Sequence, residues 1–160
     1  MNQKMKTFLY LLLMVCPALV MAQQDQKKNE EAVRAVINAF FEILDSKDTA
    51  KYSTLVLPEG QIWRLKMANE GVKTDVRTFA KDKLNLASMK STIQERALAW
   101  DIQIHDHIAM AWVPYTLDVD HQFSHCGIDV FTLMLTDEGW RIVSLAYTVE
   151  PDGCGEVIKK

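Results

Sequence analysis

The hydrophobic pattern changes period twice along this chain. Val33, Val36, Ile37, Phe40, Phe41 and Leu44 recur at the i, i+3, i+4 spacing of one helix face, with Glu30, Glu31, Arg34, Asn38 and Glu42 on the other. The spacing predicts a helix opening near Glu30, with Asn29 as a candidate N-cap and acids in the first turn, where the helix dipole favours them. After Asp45-Ser46-Lys47-Asp48, a short second helix capped by Asp48 or Thr49 carries Tyr52 and Leu55, and Pro58 and Gly60 end it. Alternation then takes over: Gln61 to Lys66 and Val72 to Arg77 around Asn69-Glu70-Gly71 read as a small hairpin. Thr78 to Met89, with Phe79, Leu84, Leu86 and Met89 among lysines, reads as a third helix.

Two long strands follow, Thr92 to Ile104 and Ile108 to Val119, joined at His105-Asp106-His107. The most legible hairpin comes last: Ile128 to Leu135 and Trp140 to Val149 flank Thr136-Asp137-Glu138-Gly139, where glycine supplies a positive φ. Helices early and an antiparallel meander late make an α+β arrangement.

Setting Ile104 opposite Ile108, Tyr115 opposite Asp129 and Leu135 opposite Trp140 divides the sheet into two faces. One collects Ala97, Ala99, Asp101, Ala111, Val113, Tyr115, Asp129, Phe131, Leu133, Ser144 and Ala146. The other collects Trp100, Ile102, Ile104, Met110, Trp112, Val130, Thr132, Met134, Val143, Leu145 and Tyr147, and is too apolar to be left in water. Helices over the first face and a second subunit on the other predict a homodimer through the sheet. A slip of one residue would exchange the faces.

Composition changes the picture at the two ends. Lys4 and Lys6 precede the apolar run Phe8 to Val15, and Val20 and Ala22 are small cleavage positions, so residues 1–22 read as a signal peptide and the mature protein as exported, periplasmic or secreted. Pro17 interrupts the run, which falls short of the roughly 20 apolar residues of a membrane span. Cys16 raises lipid attachment, against which stands the large Val15 before it. Residues 23–29 form a polar leader, 30–154 one domain and 155–160 a tail. Removing 22 of the 160 residues leaves 138 and takes two of the 18 basic groups against 21 acidic ones, moving the net charge from −3 to −5. Such a domain suits neither nucleic acid nor an anionic membrane.

Only Cys126 and Cys154 remain after cleavage, and oxidising conditions favour pairing them; a reactive thiol or a metal site is the rival reading. Cys126 would lie opposite Val149, with Pro151-Asp152-Gly153 turning the chain back. The bridge would stabilise by about 3 to 4 kcal/mol on chain-entropy grounds.

The order of elements resembles the cone-shaped nuclear transport factor 2-like fold, the group of SnoaL-like and ketosteroid-isomerase-like domains. The resemblance covers Glu30 to about Val149. Its most specific pieces are Gly127-Ile128-Asp129-Val130-Phe131 leading into Gly139-Trp140-Arg141-Ile142-Val143, and the tail Tyr147-Thr148 running into Asp152-Gly153-Cys154, similar to exported bacterial members named SnoaL-like or putative lumazine-binding. The resemblance implies a pocket between helices and concave sheet, and frequent dimers through the sheet. It also implies, for the isomerases, a carboxylate base on the first strand, where this chain has Ile62-Trp63-Arg64 and no acid matches. Glu59, between Pro58 and Gly60, reads as an exposed turn.

The candidate pocket residues are Trp63, Asp101, Tyr115, Asp129, Phe131 and Ser144. Asp129, alone among apolar neighbours, is the polar residue of most interest, because desolvation would raise its pKa. With Tyr115 it could offer a base and a donor; the plainer reading is a hydrogen-bonded structural carboxylate. His107 and His121 lie 14 residues apart, about 45 Å along a straight strand, and cannot share an ion. No metal, cofactor, Gly-rich phosphate loop or G-x-S-x-G elbow is implied. The resemblance thus implies an exported domain that binds a small, partly apolar molecule, with no motif naming the ligand, and two alternatives stand beside it: a lyase or isomerase using Asp129 and Tyr115, and a homodimeric interaction module whose cone is filled by its own side chains.

Overall fold

The computed structural model describes the backbone of residues 3–68, 71–151 and 154–157. The side chains of residues 1–20 and of Ala22 lie outside the described set, and with them the apolar run Phe8 to Val15, the expected cleavage positions Val20 and Ala22, and Cys16. So do Asn69 and Glu70 of the small hairpin's turn and Asp152-Gly153 before the second cysteine. Among the described residues no helix is long and apolar enough to cross a membrane.

The described residues form four helices and seven strands in the order α1 (Gln3–Ser46), α2 (Thr49–Leu55), β1 (Val56–Ala68), β2 (Gly71–Thr78), α3 (Phe79–Ser88), β3 (Ile93–Ala97), β4 (Asp101–His105), β5 (Ile108–Val119), β6 (Gln122–Thr136), β7 (Gly139–Val149) and α4 (Cys154–Val157). α1 continues without a break through residues 23–29, so Asn29 sits inside a helix and does not cap one. Gln, Lys, Asp and Glu are acceptable helix formers, and Lys27–Glu31 and Arg34–Glu30 ion pairs at i, i+4 spacing (3.9 and 3.0 Å) support the turn. α2 starts as the sequence implies, Asp48 Oδ1 accepting from the amides of Ala50 and Lys51; α3 starts one residue later than expected, at Phe79, with Thr78 as its N-cap, Oγ1 accepting from the Lys81 amide.

The sheet runs β2-β1-β7-β6-β5-β3, with β4 also paired to β5. It is mixed: β1 pairs with β7 in parallel, all other pairs being antiparallel. β1 begins at Val56, so Pro58 and Gly60 belong to an irregular strand entry where the β1–β7 register shifts. The expected strand from Thr92 to Ile104 is two strands, separated where Leu98 N–H donates to the carbonyl of Pro114 (2.8 Å).

Three registers decide the faces. Leu135 does stand opposite Trp140, and Gly139 closes that turn with φ +103°. Ile104 pairs with Ala109 and not Ile108, and Tyr115 with Gly127 and not Asp129. Between Leu133–Ile142 and Thr132–Ser144 the β7 strand carries one extra residue, Val143. This bulge turns Leu145 and Tyr147 inward and Ser144 and Ala146 outward, the reverse of the unbulged expectation, because side chains alternate with a period of two. Likewise the break before β4 turns Ile102 and Ile104 towards the core. Cys126 bridges Glu150 instead of Val149, and its disulfide with Cys154 holds α4 against β6.

The core lies between α1 and the concave sheet. Phe40 packs edge-on against Phe79 and Phe131, and Phe41 against Phe131. Each such buried ring contributes about 1.5–3 kcal/mol. The convex face leaves Trp63, Ile108, Trp112 and Met134 between 42 and 47 % exposed.

Candidate functional site

A cavity of about 430 Å³ opens between α1, α3 and the far half of the sheet. Its walls are apolar, among them Phe40, Leu86, Leu117 and Leu145, and its polar groups lie at two levels. At the closed end are Tyr115, Asp129 and Glu95; at the mouth, Arg64, Lys66 and His125.

Asp129 is 2 % exposed, and its Oδ2 has no hydrogen-bond partner. The neighbour that reaches it is Glu95 on β3, whose carboxyl is pushed up to about 7, chiefly by burial. Asp129 is raised well above the ordinary carboxylate range, first by burial and then by the adjacent Glu95 charge and hydrogen bond. Asp129 is buried and Glu95 half-buried, and two neighbouring carboxyls cannot both ionise cheaply away from water. The pair titrates as a unit.

Tyr115 is 1 % exposed and faces Gly127 across β5–β6. Its hydroxyl donates to the Thr148 carbonyl at 2.7 Å, so the proton imagined for a substrate is already committed to the backbone. Burial, then the Asp129 and Glu95 charges, keep the phenol protonated far above its usual range. Its ring meets His125 edge-on at 5.8 Å. Burial and the Lys66 and Arg64 charges push His125 below its usual pKa, and Ser124 Oγ lies 3.0 Å from its Nδ1.

Beside the cavity, Asp82 in the first turn of α3 ties three elements together. Tyr52 Oη donates to Asp82 Oδ2 (2.8 Å) and Arg77 Nε to Oδ1 (2.5 Å). Both oxygens are occupied, which makes this knot structural.

Of the residues expected in the pocket, Tyr115 and Asp129 line the cavity and four do not. Phe131 lies beneath it in the aromatic core, against Phe40 and Phe41. Trp63 projects from the outer face, 42 % exposed, with Nε1 on Gln61 Oε1 (3.2 Å). Asp101 is exposed opposite Trp112, a consequence of the break before β4. The β7 bulge carries Ser144 to the outer side opposite Thr132. Sequence reasoning overlooked Glu95, although stepping back by twos from Ala97 puts Glu95 and Ile93 on the same face. It also overlooked Arg64 and Lys66, which share with buried Ile62 the inward face of β1.

The family described as "Putative lumazine-binding" matches residues 28–148. No curated protein matches the chain. Among solved structures, an NTF2-like protein with a cystatin-like fold from Novosphingobium aromaticivorans is 14 % identical, covering 90 % of this chain and 97 % of that one at a TM-score of 0.63. A nuclear transport factor 2-like superfamily protein from Salmonella enterica serovar Typhimurium is 17 % identical, covering 80 % and 95 % at 0.61. A putative dehydratase from the NTF2-like family of Streptomyces avermitilis is 14 % identical, covering 78 % and 97 % at 0.60. At these identities the likeness is one of fold.

Proposed function

The chain belongs to the putative lumazine-binding family, with a nuclear transport factor 2-like fold, and from that premise we propose that it binds a small, partly apolar molecule in its cone. The observation that carries this reading is the cavity of about 430 Å³ with the buried Asp129 carboxyl, its Oδ2 unpartnered, at its closed end beside Glu95. It is within the size range of ligand pockets, and convergent polar groups on apolar walls are their usual design. A cone filled by its own side chains would leave no such space. The test is mass spectrometry of the protein purified from its own host, native and then denaturing. A mass excess that leaves on denaturation supports the reading; a protein that is empty and also fails to bind a library of flat, partly apolar molecules counts against it.

A second reading, a lyase or isomerase, is favoured by one feature: two carboxyls, Glu95 and Asp129, line one end of the cavity with pKa values raised by burial, Glu95 to about 7, as a general acid or base requires. With the Tyr115 proton committed to Thr148, the pair replaces Asp129–Tyr115 as the proposed machinery. An Asp129→Asn variant that keeps ligand affinity but loses turnover supports it; equal turnover sinks it.

We propose further that the protein is exported after cleavage near Ala22 and forms a homodimer over the outer face bearing Trp63, Trp112 and Met134. N-terminal sequencing of the secreted form and its mass by light scattering test the two statements. A monomer in solution, or an uncut N-terminus, refutes the corresponding one.

A further inference from the structure

The arrangement of charge around the cavity points to the chemical class of its occupant. β1 enters beside the apolar wall with Ile62 buried, and the strand's alternation places Arg64 and Lys66 on that same inward face, further out. Two residues apart on one strand face, their Cα atoms stand about 7 Å apart, close enough for both side chains to converge on one anionic group.

Arg64 is held in place from the neighbouring strand. Its register partner is Asp75, whose Oδ2 accepts from Arg64 Nε at 2.6 Å. Lys66 has no carboxylate within ion-pair distance among the described residues. The other cation of the wall, Arg77, is matched by Asp82. The mouth therefore carries positive charge that its own walls do not cancel. At the opposite end stand Glu95 and the buried Asp129, whose Oδ2 has no partner; burial raises the pKa of both, so the floor is less negative than two free carboxylates. Between the levels the surface is apolar: Leu86, Leu117 and Leu145.

We propose that the cavity takes an apolar molecule ending in a single acid group, of the carboxylate or sulfonate kind, with its body along Leu86, Leu117 and Leu145 and its anionic head at Arg64 and Lys66. This rests on the small-molecule reading above and names the ligand class for that site. A cationic ligand would meet the unpaired Lys66 ammonium with like charge, and a wholly neutral one would gain nothing from it.

Anilinonaphthalene sulfonate and phenylnaphthylamine share one fluorescent scaffold and differ by the anionic group, and both brighten in apolar surroundings. Each is titrated against the mature, disulfide-bonded protein, Lys66→Gln, and Leu117→Trp, which fills the cavity. The sulfonate should bind about threefold more tightly than the neutral dye, as expected for one solvent-exposed charge pair. Lys66→Gln should abolish most of that preference and leave the neutral dye unchanged, and added salt should weaken only the sulfonate. Lys66 is exposed, so its substitution should not disturb folding. Equal affinity for the two dyes, or a preference that survives Lys66→Gln, overturns the anionic head while sparing the cavity. Binding of neither dye, or binding that Leu117→Trp does not reduce, overturns the small-molecule reading and this one with it.

Discussion

Replacing Glu95 by glutamine should change how stability depends on pH, and the direction follows from where the proton sits. In the unfolded chain Glu95 releases its proton near 4.5; in the folded protein burial beside Asp129 delays release to about 7. Between those values the folded state keeps a proton that the unfolded state has lost, so every rise in pH favours unfolding. At about 1.4 kcal/mol per pH unit, the displacement withdraws about 3 kcal/mol as pH climbs through the window. Below 4.5 both states hold the proton and nothing is lost. His125 acts in the opposite sense: its depressed pKa means that stability falls as pH drops below 6.5. That contribution is common to both proteins and cancels in the difference between them. Glutamine keeps the shape, removes the titration and offers an amide N–H to the unpartnered Asp129 Oδ2 at any pH. Urea unfolding followed by tryptophan fluorescence at pH 4.5, 6, 7 and 8 measures the gap. The variant should gain on the wild type by about 3 kcal/mol from the acid end to pH 8. Parallel curves would refute the reasoning that the folded protein retains a proton on Glu95 into the neutral range.

Three further outcomes follow from particular contacts. Gly127→Ala would drive a Cβ into the Thr148 carbonyl oxygen, the atom that accepts the Tyr115 proton; with backbone on the far side, a loss of about 1–3 kcal/mol is expected in urea midpoints, and an unchanged midpoint would disprove the close approach. Tyr52→Phe removes a buried donor from Asp82 Oδ2 and should cost about 1–2 kcal/mol by chemical denaturation, with no such cost if water replaces the hydroxyl. Paired Cys126→Ser and Cys154→Ser changes open a cross-link spanning 28 residues and should lower stability by about 3 to 4 kcal/mol, read as a drop in Tm that reductant reproduces in the wild type alone.

Much of the architecture was legible because local rules and tertiary contacts agree. The α1 stripe through Val33, Ile37, Phe40 and Phe41, the Asp48 cap and the β6–β7 turn at Gly139 follow from periodicity and capping chemistry. The sequence also located Asp129 as the carboxyl that an apolar strand would desolvate, and Cys126 and Cys154 as partners. Tyr115 was legible as a cavity residue but not as one whose hydroxyl is already engaged, since its acceptor lies on another strand.

What the sequence determined by itself was therefore the set of elements, their polarity and the residues unfit for water. Only the tertiary structure decided which way several of them face and whom they meet. A single extra residue at Val143 exchanges Ser144 for Leu145, and the break before β4 exchanges Asp101 for Ile102. Neither irregularity leaves a mark in a pattern of period two, because a bulge is stabilised by contacts across the sheet and not by the residue inserted. Parallel pairing of β1 with β7 likewise depends on strands some 80 residues apart, and it is this pairing that puts Arg64 and Lys66 at the mouth of the cavity that Asp129 closes.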